Sequence, residues 1–223
     1  EAVRLAGEID KAVRRAAKAE HPVSIIAHSM GGLLARALIA TQRAVWDRMC
    51  KHPEARLIML GTPNQGSYCI SRVLTGRDSL IKKLALLDMK HEPVDLLGIV
   101  SEYPGLLELL PENLLDYAEW QKLSQADSKR DEWHLPTAAA LQDARRVRDR
   151  IAGSPLDPAR VFYVAGHAPA TPSGMDIQPD DDGKARIVFL ATPEGDGRVP
   201  WKTGIPEGAK TWYAPAAHGK KPQ

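Results

Sequence analysis

Val3, Ala6, Ile9, Val13 and Ala16 recur at helical spacing with arginines and lysines between them. This predicts an amphipathic helix over residues 1–19, broken by His21-Pro22. Val23-Ser24-Ile25-Ile26-Ala27 is a short apolar run of the kind expected in a strand buried on both faces. Gly31-Gly32 then opens a strong helix-forming stretch from Leu33 to Ala40. Ala55 to Leu60 reads as a second buried strand, ended by Gly61-Thr62-Pro63-Asn64. The alternation of helix, strand, helix and strand predicts a parallel sheet with helices on its faces.

From residue 68 to 150 the pattern changes. Leu80, Ile81, Leu84 and Leu87, then Leu96, Leu97 and Val100, then Leu106 to Leu115, give helix signals without a clear strand. This stretch is expected to form a helical cap or lid over the sheet. Most of its leucines are expected to pack inward, with a lid face able to meet lipid at its periphery. Strand character returns at Arg160 to Ala165. A two-stranded excursion follows, with Asp182-Gly183 as its hairpin turn before Ile187 to Leu190, and a last short strand runs through Thr211-Trp212-Tyr213. The expected organisation is therefore a core segment at 1–67, the cap at 68–150 and the core resuming at 151–223.

The sharpest chemical signal is Ala27-His28-Ser29-Met30-Gly31-Gly32, placed where a predicted strand meets a predicted helix. A serine hydroxyl is a weak nucleophile and must project toward a base. A tight strand-to-helix turn achieves this but crowds the positions two residues away on each side, here Ala27 and Gly31. The same turn sets the backbone N–H of Met30 at a helix N-terminus, where it can stabilise an oxyanion. His28 is read as a packing residue or substrate contact, not as the base.

In a fold of this kind the acid and then the histidine follow the serine along the chain. His52 and His91 come too early, His134 lies within the cap, and His167 leaves few positions for an acid before it. His218, in Ala217-His218-Gly219 after the last predicted strand, occupies the required place. Asp196 is the favoured acid, because the glycines of Gly195-Asp196-Gly197 allow its carboxylate to turn inward. Its rivals are Asp176 and the Asp180-Asp181-Asp182 run, which reads as a solvated turn and a poor calcium loop.

Composition narrows the alternatives. A net charge of +2 with dispersed Lys and Arg gives no nucleic-acid footprint. No apolar run is long enough to cross a membrane as a helix. An aromatic content of 5% offers few interfacial anchors. The two cysteines, Cys50 and Cys69, form no metal-ligand pattern and are expected to be free thiols. No metal or cofactor is called for.

Four stretches together resemble the lecithin:cholesterol acyltransferase-like family of α/β-hydrolases. They are Ala27 to Gly32, Leu60-Gly61-Thr62-Pro63-Asn64-Gln65-Gly66-Ser67, Gly195-Asp196-Gly197-Arg198-Val199-Pro200, and Ala217-His218-Gly219. The resemblance implies a Ser29, Asp196 and His218 triad and an acyl ester or lipid substrate, with Pro63 and Asn64 as further candidate substrate contacts. The family holds phospholipases, acyltransferases and plain esterases. Ester hydrolysis through an acyl-enzyme is the leading expectation, with acyl transfer to an alcohol and a non-catalytic hydrolase-like module as alternatives. A full hydrolase sheet has several strands before the nucleophile, and these carry the second oxyanion donor. The chain is therefore expected to be part of a longer one.

Overall fold

The computed structural model describes residues 1–88 and 90–219. Helix α1 (Ala2–Ala17) turns Ala6 and Ile9 into the core, while Val3 at its start stays exposed. Strand β1 (Ile25–His28) leads through Ser29 into α2 (Met30–Thr41), followed by α3 (Arg43–Met49) and β2 (Leu57–Leu60). The chain then leaves the sheet for α4 (Tyr68–Leu74), α5 (Ser79–Asp88), α6 (Pro93–Val100), α7 (Pro104–Leu107), α8 (Tyr117–Ala126) and α9 (Ala138–Ala152), with short 3-10 turns at Glu112–Leu115 and Arg130–Glu132. It returns as β3 (Val161–Gly166), makes the hairpin β4 (Thr171–Pro179) and β5 (Ala185–Thr192), and closes with α10 (Trp201–Gly204) and β6 (Lys210–Ala214).

Strands β1, β2, β3 and β6 pair in that order, all parallel. Each return to the sheet runs through helical segments, as parallel pairing requires. A parallel sheet with helices packed on it and a strand–serine–helix junction at its C-terminal edge is the α/β-hydrolase architecture.

The sheet is covered on one face. Ala27, Leu57, Met59, Val161, Tyr163 and Ala165 point to the side where Ala6 and Ile9 of α1, Leu38 and Ile39 of α2, and Trp46 and Met49 of α3 bury them. Side chains alternate along a strand, so Ile26, Ile58, Phe162 and Trp212 point the other way. Ile26 is 71% exposed and Trp212 46% exposed. Phe162 and Trp212 stack with centroids 5.0 Å apart, and Arg56 and Lys210 lie over the Phe162 ring. The expectation that β1 is buried on both faces is thus corrected. It is an edge strand, and its second face lies open at Ile26.

The helices between β2 and β3 build a second apolar cluster around Leu74, Leu97, Leu110, Trp120, Trp133 and Leu141. Buried tryptophans need partners for their indole N–H groups. Trp120 Nε1 donates to Leu114 O at 2.7 Å, and Trp133 Nε1 donates to Asp127 Oδ2 at 2.9 Å. The Asp127 carboxylate is also paired with Arg77 at 2.6 Å. The hairpin turns as predicted near Asp182-Gly183, where Gly183 has φ +75°. Its Ile187 packs into this helical cluster and not against the parallel sheet. Of the leucines expected in the cap, the side chain of Leu80 lies outside the described residues. Leu84, Leu86 and Leu87 are exposed, as are Ile99 and Tyr103. No described helix is long and apolar enough to cross a membrane.

Candidate active site

Ser29 sits at the junction of β1 and α2 with φ +55° and ψ −129°, a left-handed conformation that L-residues adopt only when the surroundings impose it. Two bonds hold the turn: Ser29 N–H donates to Leu60 O at 2.9 Å, and Gly32 N–H donates to Ser29 O at 3.0 Å. The close approach that demands a glycine is at Gly32. A Cβ there would lie 2.0 Å from Thr62 Oγ1. Gly31, expected to be the crowded position, has no described neighbour within 4 Å of a built Cβ and an ordinary φ. The crowding predicted for it falls one residue later, because α2 presses its first turn against the loop after β2.

Three stretches far apart in sequence converge on this serine. His218 Nε2 lies 2.9 Å from Ser29 Oγ, and His218 Nδ1 lies 2.7 Å from Asp196 Oδ2. Asp196 is buried, and its other oxygen accepts the backbone N–H groups of Arg198 (3.0 Å) and Val199 (2.8 Å). The turn therefore holds the carboxylate on one oxygen and aims the other at the imidazole. A second stitch joins the two loops, since His218 N–H donates to Asp196 O at 2.7 Å. The loop is anchored in turn by Thr171, whose Oγ1 accepts from Gly197 N–H at 2.8 Å, and by Trp201 Nε1, which donates to Gly166 O at 2.7 Å.

Neither Thr171 nor Gly61 stands out in the sequence for this role. Gly61 has φ +53°, and a Cβ there would meet Asp196 Oδ2 at 2.5 Å and His218 Nδ1 at 3.0 Å. Its lack of a side chain makes room for the carboxylate–imidazole pair. The only sequence signal was its place in the Gly-Thr-Pro-Asn loop. Tyr163 lies beneath, donating its hydroxyl to Thr62 O at 3.0 Å. Burial, and secondarily the Asp196 charge, pushes its phenol pKa well above the ordinary value.

Met30 is the first residue of α2, so its N–H has no acceptor within the helix. His28 is exposed rather than packed inside, and its ring lies against the ring of His218. Both rings line a cavity of about 250 Å³ with Leu60, Val164 and Ala214. Pro63 is buried. Asn64 is also buried, and its amide is engaged inside the protein. Its Oδ1 accepts from Arg36 Nη1 at 2.9 Å, and its Nδ2 donates to Gly204 O at 2.7 Å. Both polar atoms of the Asn64 amide are thus engaged, and they brace the loop after β2 against α2 and α10.

The rival acids lie elsewhere. Asp176 is exposed on β4, and Asp180 caps the hairpin turn by accepting from Asp182 and Lys184 N–H. Cys50 and Cys69 are free thiols, and burial raises the pKa of each. Among the described residues, no cluster of three or more His, Cys, Asp or Glu side chains is arranged to hold a metal ion.

Residues 1–89 match the family model described as "Putative serine esterase (DUF676)". The match includes Ser29 and the Gly-Thr-Pro-Asn loop but stops before Asp196 and His218. Among solved structures, the chain is similar to the mature form of the Bacillus licheniformis lipase BlEst2, at 14% identity and a TM-score of 0.42, covering 93% of this chain and 61% of that one. It is also similar to the Tle4–Tli4 complex, at 15% identity and a TM-score of 0.47, covering 83% of this chain and 50% of that one. The chain thus spans between half and two-thirds of the length of these two relatives. No curated protein matches it.

Proposed function

We propose that this chain carries the catalytic centre of a serine hydrolase acting on carboxylic esters of acyl or lipid type. The observation that carries the reading is the unbroken relay from Asp196 Oδ2 through His218 to Ser29 Oγ, with contacts of 2.7 and 2.9 Å, on a serine held in a left-handed turn. In this reading Ser29 Oγ attacks the ester carbonyl while His218 Nε2 takes its proton. Asp196 holds the imidazole in the required tautomer and stabilises its cationic form. The Met30 N–H donates to the oxyanion. His218 returns the proton to the leaving alcohol, and water, activated by the same imidazole, releases the acyl group from Ser29. Oxyanion holes need more than one donor. The unpaired edge of β1 and the open face behind Ile26 and Trp212 support the reading that further elements of a longer polypeptide complete the sheet and supply the second.

The helices between β2 and β3 act in this reading as a cap. The exposed Leu84, Leu86, Leu87, Ile99 and Tyr103 are the side chains it would present to lipid.

A fluorophosphonate probe tests the proposal. Adduct formation on Ser29, mapped by peptide mass spectrometry and lost in Ser29→Ala and His218→Ala, is the expected result. A folded protein that leaves Ser29 unlabelled would instead be a non-catalytic module. Product analysis with and without an added alcohol then separates hydrolysis from acyl transfer.

A further inference from the structure

Two arginines away from Ser29, Asp196 and His218 line one cavity, and Arg148 there has the carboxylates of Glu112, Asp149 and Glu108 near it, none in an ion pair with it among the described residues. Arg36 lies on α2, about two helical turns beyond Ser29. Its Nη1 donates to Asn64 Oδ1 at 2.9 Å and its Nη2 to Ile151 O at 3.3 Å, while its Nε is buried with no partner. Arg148 on α9 is 6% exposed, and its Nη1 donates to Glu108 O at 3.1 Å and Leu110 O at 3.0 Å. Among the described residues neither guanidinium makes an ion pair. Burial lowers the pKa of both groups; in Arg36 repulsion by Arg148 adds to it, whereas in Arg148 the charges of Glu112, Asp149 and Glu108 partly oppose it. Guanidinium does not relieve such stress by losing its proton. Buried charges are ordinarily paired, and an orphaned buried donor calls for an explanation such as a bound ion.

The cavity these residues line is about 540 Å³, ample for a small ion. It also carries three acids, Glu112, Asp149 and Glu207. All three are exposed, and Glu112 is already paired with Arg145, so solvent screens their charge more than that of the buried Arg148 and half-buried Arg36. Backbone carbonyls satisfy part of each arginine's donor set but bring no counter-charge.

We propose that this cavity binds a small oxyanion of the phosphate class, with Arg36 and Arg148 as its cation pair. Guanidinium matches the planar, bidentate demands of such an anion better than ammonium. The site joins α2, which carries Ser29, to α9, which returns the chain from the helical cluster to the sheet. Bound anion would pin these two helices together. It is not part of the ester chemistry and does not rest on it.

The test is thermal unfolding in inorganic phosphate against sodium chloride of the same ionic strength. Wild-type protein is expected to gain about 5 °C at saturating phosphate, with a saturable concentration dependence. Phosphorus NMR of the phosphate should broaden on addition of protein. Arg36→Gln should abolish both effects. Arg148→Met, which keeps the volume, serves as a second variant. Ser29→Ala should retain both effects, so failure here is separable from failure of the hydrolase reading. Parallel titrations with glycerol 3-phosphate and soluble dihexanoylphosphatidate distinguish a free phosphate from a lipid headgroup, and saturable stabilisation by either supports the site. A gain no larger than in matched chloride with every ligand, or an equal gain in Arg36→Gln, would overturn it.

Discussion

The imidazole of His28 lies 4.8 Å from that of His218, centroid to centroid, with the planes inclined by 39°. His218 is held in its own plane at both nitrogens, by Asp196 and Ser29. Its ring face is held by its neighbour in the strand. An aromatic pair of this kind contributes about 0.5–1.5 kcal/mol. His28→Ala is therefore expected to lower kcat about 2–10-fold with KM little changed, and His28→Phe to restore most of the loss. Steady-state kinetics on a soluble ester separates this positioning role from the substrate contact suggested by sequence, which would instead raise KM and leave kcat in place.

Gly61 is where the Asp196–His218 contact is most easily disturbed without changing either residue. Gly61→Ala places a methyl group against Asp196 Oδ2 and His218 Nδ1 and strains a left-handed backbone. Misplacement by about 1 Å can cost about 100-fold in rate. Esterase activity should fall by that order while circular dichroism stays native. Activity near that of the parent would show that the Asp196–His218 contact is not needed.

The two glycines after the nucleophile should behave oppositely. Gly31→Ala meets no described neighbour and gains helix propensity of about 1 kcal/mol, so denaturant midpoints should hold or rise. Gly32→Ala collides with Thr62 and should lose about 1–3 kcal/mol, as overpacked cores do. Equal effects would place the close approach elsewhere.

Tyr163 sets an alkaline limit on stability. Its phenol stays protonated in the folded protein because burial and the Asp196 charge disfavour the anion. In the unfolded chain it ionises near its ordinary value of about 10. Above that pH the unfolded state holds fewer protons, so stability contributed below it declines as pH rises. Tyr163→Phe should flatten this decline between pH 9 and 11 in urea melts. At neutral pH it should cost about 1 kcal/mol for the bond to Thr62 O. An unchanged slope would remove Tyr163 as the cause.

The convergence of Ser29, Asp196 and His218 was legible because chain order and loop chemistry constrain it strongly. Asp196 and His218 sit in short loops with glycine beside them, and Ser29 stands two residues before Gly31, each after an apolar run and where a strand has ended. Gly61 and Thr171 were not legible in their roles, since nothing local marks a residue whose importance is the space it leaves or a bond to a distant turn. The same applies to Asn64, whose partners Arg36 and Gly204 are remote in sequence. For β1 the failure was different. Consecutive apolar residues reveal that both faces of a strand are greasy, but not which face another element covers. Ile26 and Ala27 look alike in the sequence, yet one is 71% and the other 6% exposed.

That uncovered face carries its own optical reporter. Of the five tryptophans, Trp46, Trp120 and Trp133 are buried and Trp201 half-buried, whereas Trp212 stands at 46% exposure beside Phe162. Iodide, which cannot enter the interior, should quench the emission of Trp212 before that of the others. Any segment, partner or detergent that settles on the sheet would shield it and shift its spectrum to the blue. The residue that betrays the gap is thus also the means of watching it close.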